Sequence, residues 1–202
     1  MTQLRSDALR NRGLVLEAAA QLFAERGPDV TVDEIARHAG VGHGTIFRRF
    51  PTKDALMAAV LGVRLEELAA GAEELLAHED AWAAFEEFVW SAADACGRDR
   101  ALFDGVPRCE IFPEVAEAKQ QLDAIAQRLI RRAQDDGSLR GDIAADDVAA
   151  LVASAMLAAG RVTTHDASRL YISIVLDGLR SAPAERQTLE KPPSRRSAVP
   201  TA

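Results

Sequence analysis

A chain of 202 residues can bury one full core or join a small module to a larger one. Alanine and leucine dominate, β-branched and aromatic residues are sparse, and apolar positions recur every three or four residues. That pattern excludes a sheet protein and predicts an all-α chain of about nine helices. The formal net charge of −7 argues against a uniformly basic nucleic-acid binder, and no apolar run reaches the roughly 18–20 residues of a membrane span.

The charge is unevenly spread. Residues 1–64 hold nine Lys/Arg against seven Asp/Glu, a net of +2, which leaves −9 for residues 65–202. Affinity for phosphate needs positive charge on the docking face and not over the whole protein. The acidic remainder would also disfavour wrong docking orientations. The opening segment MTQLRSDALRNR lacks the apolar core of a secretion signal. Cys96 and Cys109 form no CxxC pair, so a cytoplasmic protein is expected. Buried inert thiols are the simpler reading of these cysteines, and a redox pair is the alternative.

Ser6 or Asp7 can cap a first helix that runs to about Arg26, with Val15, Leu16, Ala19, Leu22 and Phe23 as its apolar stripe. Gly27 and Pro28 stop it. Thr31 with Glu34 three positions later is a capping box for the second helix, whose Ile35 and Ala36 face inward. Gly40 ends that helix, where a positive φ costs glycine little. A third helix runs from about Gly42 to Phe50, followed by Pro51 and the next cap, Thr52. The fourth extends from about Lys53 to Leu76, with Leu56, Val60, Val63 and Leu68 inward. Gly62 and Gly71 weaken it and predict a bend. The fifth, about 80–96, carries Trp82, Phe85, Val89, Ala92 and Cys96 on one stripe.

An irregular or short-helical segment, DRALFDGVPRCEIFP, leads to a helix over about 114–136 that stops at Gly137. Asp146 and Asp147 suit the positive end of the next helix. The last two helices are predicted at about 146–162 and 166–180. The former is rich in small residues, and the latter is apolar on nearly all sides and so requires burial on both faces. The tail after Pro183 has the composition of a disordered segment. Arg195 and Arg196 there are read as solvated, with a DNA contact as the alternative.

The functional signal lies in residues 31–53. Two short helices meet at a tight glycine turn, and the second ends in a basic pair. The major groove admits one helix, whose N-terminal residues reach base edges. Gly42, His43, Gly44 and Thr45 stand at that leading end: the glycines permit close backbone approach, and His43 and Thr45 offer hydrogen bonds. Arg48 and Arg49 can each read guanine or hold phosphate, while Ile46 and Phe50 anchor the helix inward. Thr31, Thr52 and Lys53 sit at helix starts, where free N–H groups favour phosphate.

With these residues in place, the segment resembles the DNA-binding signature of the TetR (tetracycline-repressor-like) family of bacterial regulators. The pattern T(V/T)xxIAxxAGVSxGTxYxxFxxKxxL is matched at Thr31, Val32, Ile35, Ala36, Ala39, Gly40, Val41, Gly44, Thr45, Phe50, Lys53 and Leu56. The resemblance extends over about residues 8–60; beyond that it consists of length and helical pattern. Two positions depart from it. Gly42 replaces the usual serine and removes a hydroxyl. Phe47 replaces the usual tyrosine, keeping an aromatic ring but losing its phenolic hydrogen bond to phosphate.

The resemblance implies a helix-turn-helix head at 1–52, a ligand-binding and dimerisation body at 53–182, and a tail at 183–202. It implies a homodimer whose two recognition helices, about 34–36 Å apart, read a palindromic operator in double-stranded DNA. It further implies a small-molecule effector that releases a repressor. Trp82, Phe85, Phe88, Phe103, Arg108, Cys109 and Phe112 are the candidate pocket lining, being aromatic groups near a few polar ones. No cofactor, metal or membrane is expected. His38, His43, His78 and His165 are scattered, and no nucleophile motif or phosphate loop stands out, so a small-molecule-processing enzyme is a remote alternative. A helical interaction protein that uses residues 31–56 only for packing is the other.

Overall fold

Two buried apolar clusters organise the chain, and two long helices pass through both. The computed structural model describes residues 2–105, 109–159 and 165–181. Its elements are α1 (Thr2–Arg26), a 3-10 turn (Gly27–Asp29), α2 (Val32–Ala39), α3 (His43–Arg49), α4 (Lys53–Leu75) and α5 (Ala81–Arg98). They continue with α6 (Arg100–Phe103), α7 (Pro113–Asp135), α8 (Ala145–Ala159) and α9 (His165–Leu179). No sheet forms among the described residues; an isolated bridge joins Leu139 to Arg180.

The first cluster takes Val15, Leu16, Ala19, Leu22 and Phe23 from α1, Ile35 and Ala36 from α2, and Ile46 from α3. Leu56, Val60 and Leu61 of α4 complete its floor, and Leu102, Cys109 and Val115 close it from the body side. Phe23 and Ile46 are almost wholly out of solvent. Burying such a side chain stabilises by about 2 kcal/mol, so α2 and α3, too short to persist alone, are held by this packing. The second cluster gathers Ala69 and Ala72 of α4, Trp82, Phe85 and Val89 of α5, Leu129 and Ile130 of α7, Val148 and Val152 of α8, and Ile172 and Leu176 of α9.

Polar contacts fix the body. Arg132 on α7 donates to the Leu76 carbonyl at 2.8 Å and the His78 carbonyl at 2.7 Å, satisfying acceptors left open where α4 ends. Arg128 holds Glu73 of α4 at 2.9 Å. Gln134 donates to the carbonyl of Ile143 in the connector before α8. The Arg169 guanidinium of α9 lies 4.2 Å above the Trp90 ring of α5.

Several boundaries differ from expectation. Helix α1 starts at Thr2, upstream of Ser6 and Asp7, because nothing in residues 2–7 breaks a helix once the following turns are packed. Helix α4 keeps its expected span and is continuous through Gly62 and Gly71: Gly62 is buried against Glu114 of α7, and tertiary packing outweighs its low propensity. The segment read as irregular or short-helical does contain a short helix, α6. Helix α9 starts at His165, one residue before the expected start. Arg108, Arg195, Arg196 and the whole 183–202 tail fall outside the described residues.

Candidate nucleic-acid interface

The entry to α2 is closed by a reciprocal cap. The Glu34 backbone N–H donates to the Thr31 hydroxyl at 3.3 Å, and the Thr31 N–H donates to the Glu34 carboxylate at 2.9 Å. The Thr31 hydroxyl also donates to that carboxylate at 2.7 Å. These hydrogen bonds from Thr31, backbone first, hold the Glu34 carboxyl below its ordinary range. Arg26 pairs with Glu34 at 3.1 Å, tying the end of α1 to the same cap. The left-handed Gly40 (φ 66°) ends α2, with its N–H on the Ala36 and Arg37 carbonyls.

Helix α3 follows with Gly42 as its cap, in extended conformation and without a side-chain bond. Its inner face is pinned by Ile46, and Phe50 closes it from below. Its outer face carries His43, Gly44, Phe47, Arg48 and Arg49, all exposed, with Thr45 half-buried. The Arg48 Nε donates to the Gly44 carbonyl one turn back at 3.0 Å, which directs its guanidinium along the helix. Among the described residues no hydrogen bond or ion pair engages the Arg49 side chain. The His43 ring stacks on Phe47 with centroids 4.4 Å apart and planes 30° apart.

Thr52 caps α4 by accepting from the Ala55 N–H at 3.0 Å. Lys53 donates its ammonium to the Pro28 carbonyl in the turn after α1, so this cation braces the head from within. The sequence-predicted contact residues from Thr31 to Lys53 therefore lie along α3 and at the starts of α2, α3 and α4. Sequence reasoning missed two features. Asp33 meets the His43 imidazole, a hydrogen bond across the turn that no short-range pattern announces. The Pro28 carbonyl, read only as part of a helix stop, is the Lys53 partner.

The candidate pocket residues fall in two places. Trp82, Phe85 and Phe88 are buried in the second cluster. Cys109 is buried in the first, with Phe103 and Phe112 partly buried against it. A cleft of about 780 Å³ opens between α1, α4 and α5, and Phe88 lines it together with Arg64, Leu68, Leu75 and Asp99. Asp99 is a charged residue buried to 7 % exposure, with the Arg64 Nε 3.4 Å away. Burial pushes the Cys96 thiol up to about 11, helped by Asp104 and Asp99. Neither cysteine is in a disulfide. No group of three or more His, Cys, Asp or Glu among the described residues is placed to hold a metal. No helix among them is long and apolar enough to cross a membrane.

A capped helix-turn-helix head on a helical body is the class of protein these features define. The family profile described as bacterial regulatory proteins, tetR family, matches residues 15–60. A second profile, transcriptional regulator SbtR-like C-terminal domain, matches residues 80–181. The HTH-type transcriptional repressor KstR2 of Rhodococcus jostii is 31% identical over 183 residues, covering 83% of this chain and 90% of that protein. The HTH-type transcriptional repressor Rv3405c of Mycobacterium tuberculosis is 42% identical over 120 residues, and the match spans only 58% of its length. In structure, a TetR transcription regulatory protein from Mycobacterium vanbaalenii is similar with a TM-score of 0.64 at 34% identity, over 88% of this chain and 99% of that one. The chain belongs to the TetR family of bacterial regulatory proteins.

Proposed function

We propose that this protein is a cytoplasmic, homodimeric, sequence-specific DNA-binding regulator, a repressor that leaves its operator when a small molecule binds. The observation that carries the reading is the outer face of α3. His43, Arg48 and Arg49 are displayed on a helix whose opposite face is locked into the core by Ile46. In this reading His43 and Thr45 address base edges, Arg48 and Arg49 hold guanine or phosphate, and Gly42 and Gly44 let the backbone approach. Phe47 packs beside His43, and the Thr31 and Thr52 helix starts accept phosphate. Lys53 contributes charge from its place on Pro28.

The homodimer is supported by the outer surface of α8 and α9. Leu151, Leu157, Leu170, Tyr171 and Ile174 are exposed there, although Val152, Ile172 and Leu176 of the same helices are buried. A patch of this kind suits a second copy packing as a four-helix interface. For the effector, Trp82, Phe85, Phe88, Phe103, Arg108, Cys109 and Phe112 stay the proposed lining residues, of which Phe88 borders the cleft between α1, α4 and α5.

The deciding experiment is selection of bound sequences from a random duplex DNA pool with the whole protein. A two-fold symmetric motif is expected, with half-sites one helical turn apart. Absence of any enriched motif refutes the reading and favours a helical interaction protein. Addition of an effector that binds the DNA-free form better should then lower retention on that motif.

A further inference from the structure

Asp33 has no role in the cap of α2. Thr31 and Glu34 fill that cap between them, which leaves the Asp33 carboxylate in the first turn, where the helix dipole favours a negative charge. From there its Oδ1 meets the Nδ1 of His43, the first residue of α3. The ring face lies on Phe47 one turn further along. One edge of the imidazole is therefore held by a carboxylate and one face by a phenyl ring, which leaves the Nε2 edge as the remaining hydrogen-bonding edge.

We infer that Asp33 is the positioning residue for base readout by His43: it fixes the proton on Nδ1 and presents Nε2 as an acceptor, selecting adenine or cytosine on the contacted strand. This rests on the DNA-binding reading above. An ionised carboxylate only accepts hydrogen bonds, so the Nδ1 it faces carries the hydrogen. In the neutral ring the other nitrogen is then the acceptor. Adenine N6 and cytosine N4 are the donors in the major groove, whereas guanine and thymine present acceptors on the same edge. The carboxylate has a second effect. Its negative charge disfavours a phosphate at this spot, so the ring is directed to a base instead of the backbone. Both side chains are exposed in the free protein, where such a pair contributes little to stability. Its consequence appears on docking, when water is displaced and the tautomer is already chosen.

The test is parallel selection from a random duplex pool with the wild type, His43→Ala and Asp33→Asn. His43→Ala should lose preference at one symmetric pair of positions and so mark it. The wild type should favour adenine or cytosine there by about tenfold. In Asp33→Asn the new side-chain amide can donate to Nδ1, releasing the opposite tautomer, so this variant should keep the palindrome but shift that one position toward guanine or thymine. The imidazole ¹⁵N spectrum should report Nδ1 protonation in the wild type and its loss in the variant, a change that a purely structural role would not produce. An identical motif for Asp33→Asn, uniform weakening at all positions, or a wild-type guanine preference at the marked position would each overturn the inference. A wild type that enriches no motif overturns the DNA-binding reading itself, and this inference with it.

Discussion

Arg64 of α4 reaches the buried carboxylate of Asp99, where α5 gives way to α6, at 3.4 Å, while its Nη1 donates to Glu67 at 2.8 Å. The hydrogen bond from Arg64 to Glu67, then the charges of Asp99 and Glu67, hold the guanidinium above its ordinary range against the cost of its burial. Through this contact the middle of α4 is tied to a charge well removed from water.

Removing the cation should therefore cost more than removing an ordinary surface arginine. Arg64→Ala leaves Asp99 buried without its partner. Breaking a fully buried pair costs about 3–5 kcal/mol. Because Arg64 is about one-third exposed, solvent screening reduces the expected loss to about 2 kcal/mol. Urea unfolding measures this directly, and a loss below about 0.5 kcal/mol would mean that the pair is decorative.

Thr31→Ala removes the hydroxyl half of the α2 cap, leaving the backbone N–H at position 31 on the Glu34 carboxylate, and should destabilise the protein by about 1 kcal/mol at neutral pH. The Glu34 carboxyl, held low by Thr31, contributes stability above its ordinary value of 4.5 and loses it as pH falls through the lower folded value. In the variant this acid-side slope should flatten only in part, because the backbone N–H bond to Glu34, the larger cause, remains and only the hydroxyl's share is lost. Thermal unfolding between pH 3 and 6, on the order of three units around the carboxylate range, compares the two proteins.

Ile174→Glu places a charge in the exposed patch of α8 and α9 without touching the buried Ile172 or Leu176. A monomer is the expected result in sedimentation. Loss of the second head should weaken operator binding by about 100-fold or more, because linked binding of two heads is lost. An unchanged dimer would move the interface elsewhere.

Arg49→Ala should lower operator affinity and reduce the slope of log affinity against log salt by about 1 if the side chain neutralises one phosphate. A change in base preference with an unchanged slope would instead assign Arg49 to a base edge. No change in either removes it from the interface.

Cys96 should react slowly with thiol reagents in the folded protein. With its thiol pushed up to about 11, the reactive thiolate is scarce at pH 8. Unfolding in urea should accelerate labelling of Cys96 by at least about tenfold, as the group returns to its free value. Fast labelling in the native state would favour the redox alternative.

The features legible in the sequence are those set by near neighbours. Thr31 and Glu34, three apart, announce the cap, and Gly40 announces its left-handed end. The stripe from Val15 to Phe23 follows from helical periodicity. What was not legible depends on how helices sit against one another. Asp33 and His43 are ten residues apart, and Lys53 and Pro28 twenty-five apart. Only the angle between packed helices brings each pair together. The aromatic residues from Trp82 to Phe112 read as one group because they are close in sequence, yet the turn of the chain at α6 distributes them over two cores. The α1 start was misplaced for a related reason: good caps at Ser6 and Asp7 do not stop a helix that can simply continue.

The first apolar cluster has a consequence for anyone wishing to transplant this head onto another body. It contains Leu56, Val60 and Leu61 of α4, and also Leu102, Cys109 and Val115 from beyond the helix-turn-helix. A chimaera joined at Pro51 would sever Phe23 and Ile46 from their floor. One joined after Leu65 would retain the floor but still need a recipient whose α6 and α7 offer matching shapes. Recognition specificity in this architecture is thus inherited together with a patch of body sequence, and exchanging one without the other should yield soluble chimaeras only from donors already alike at those distant positions.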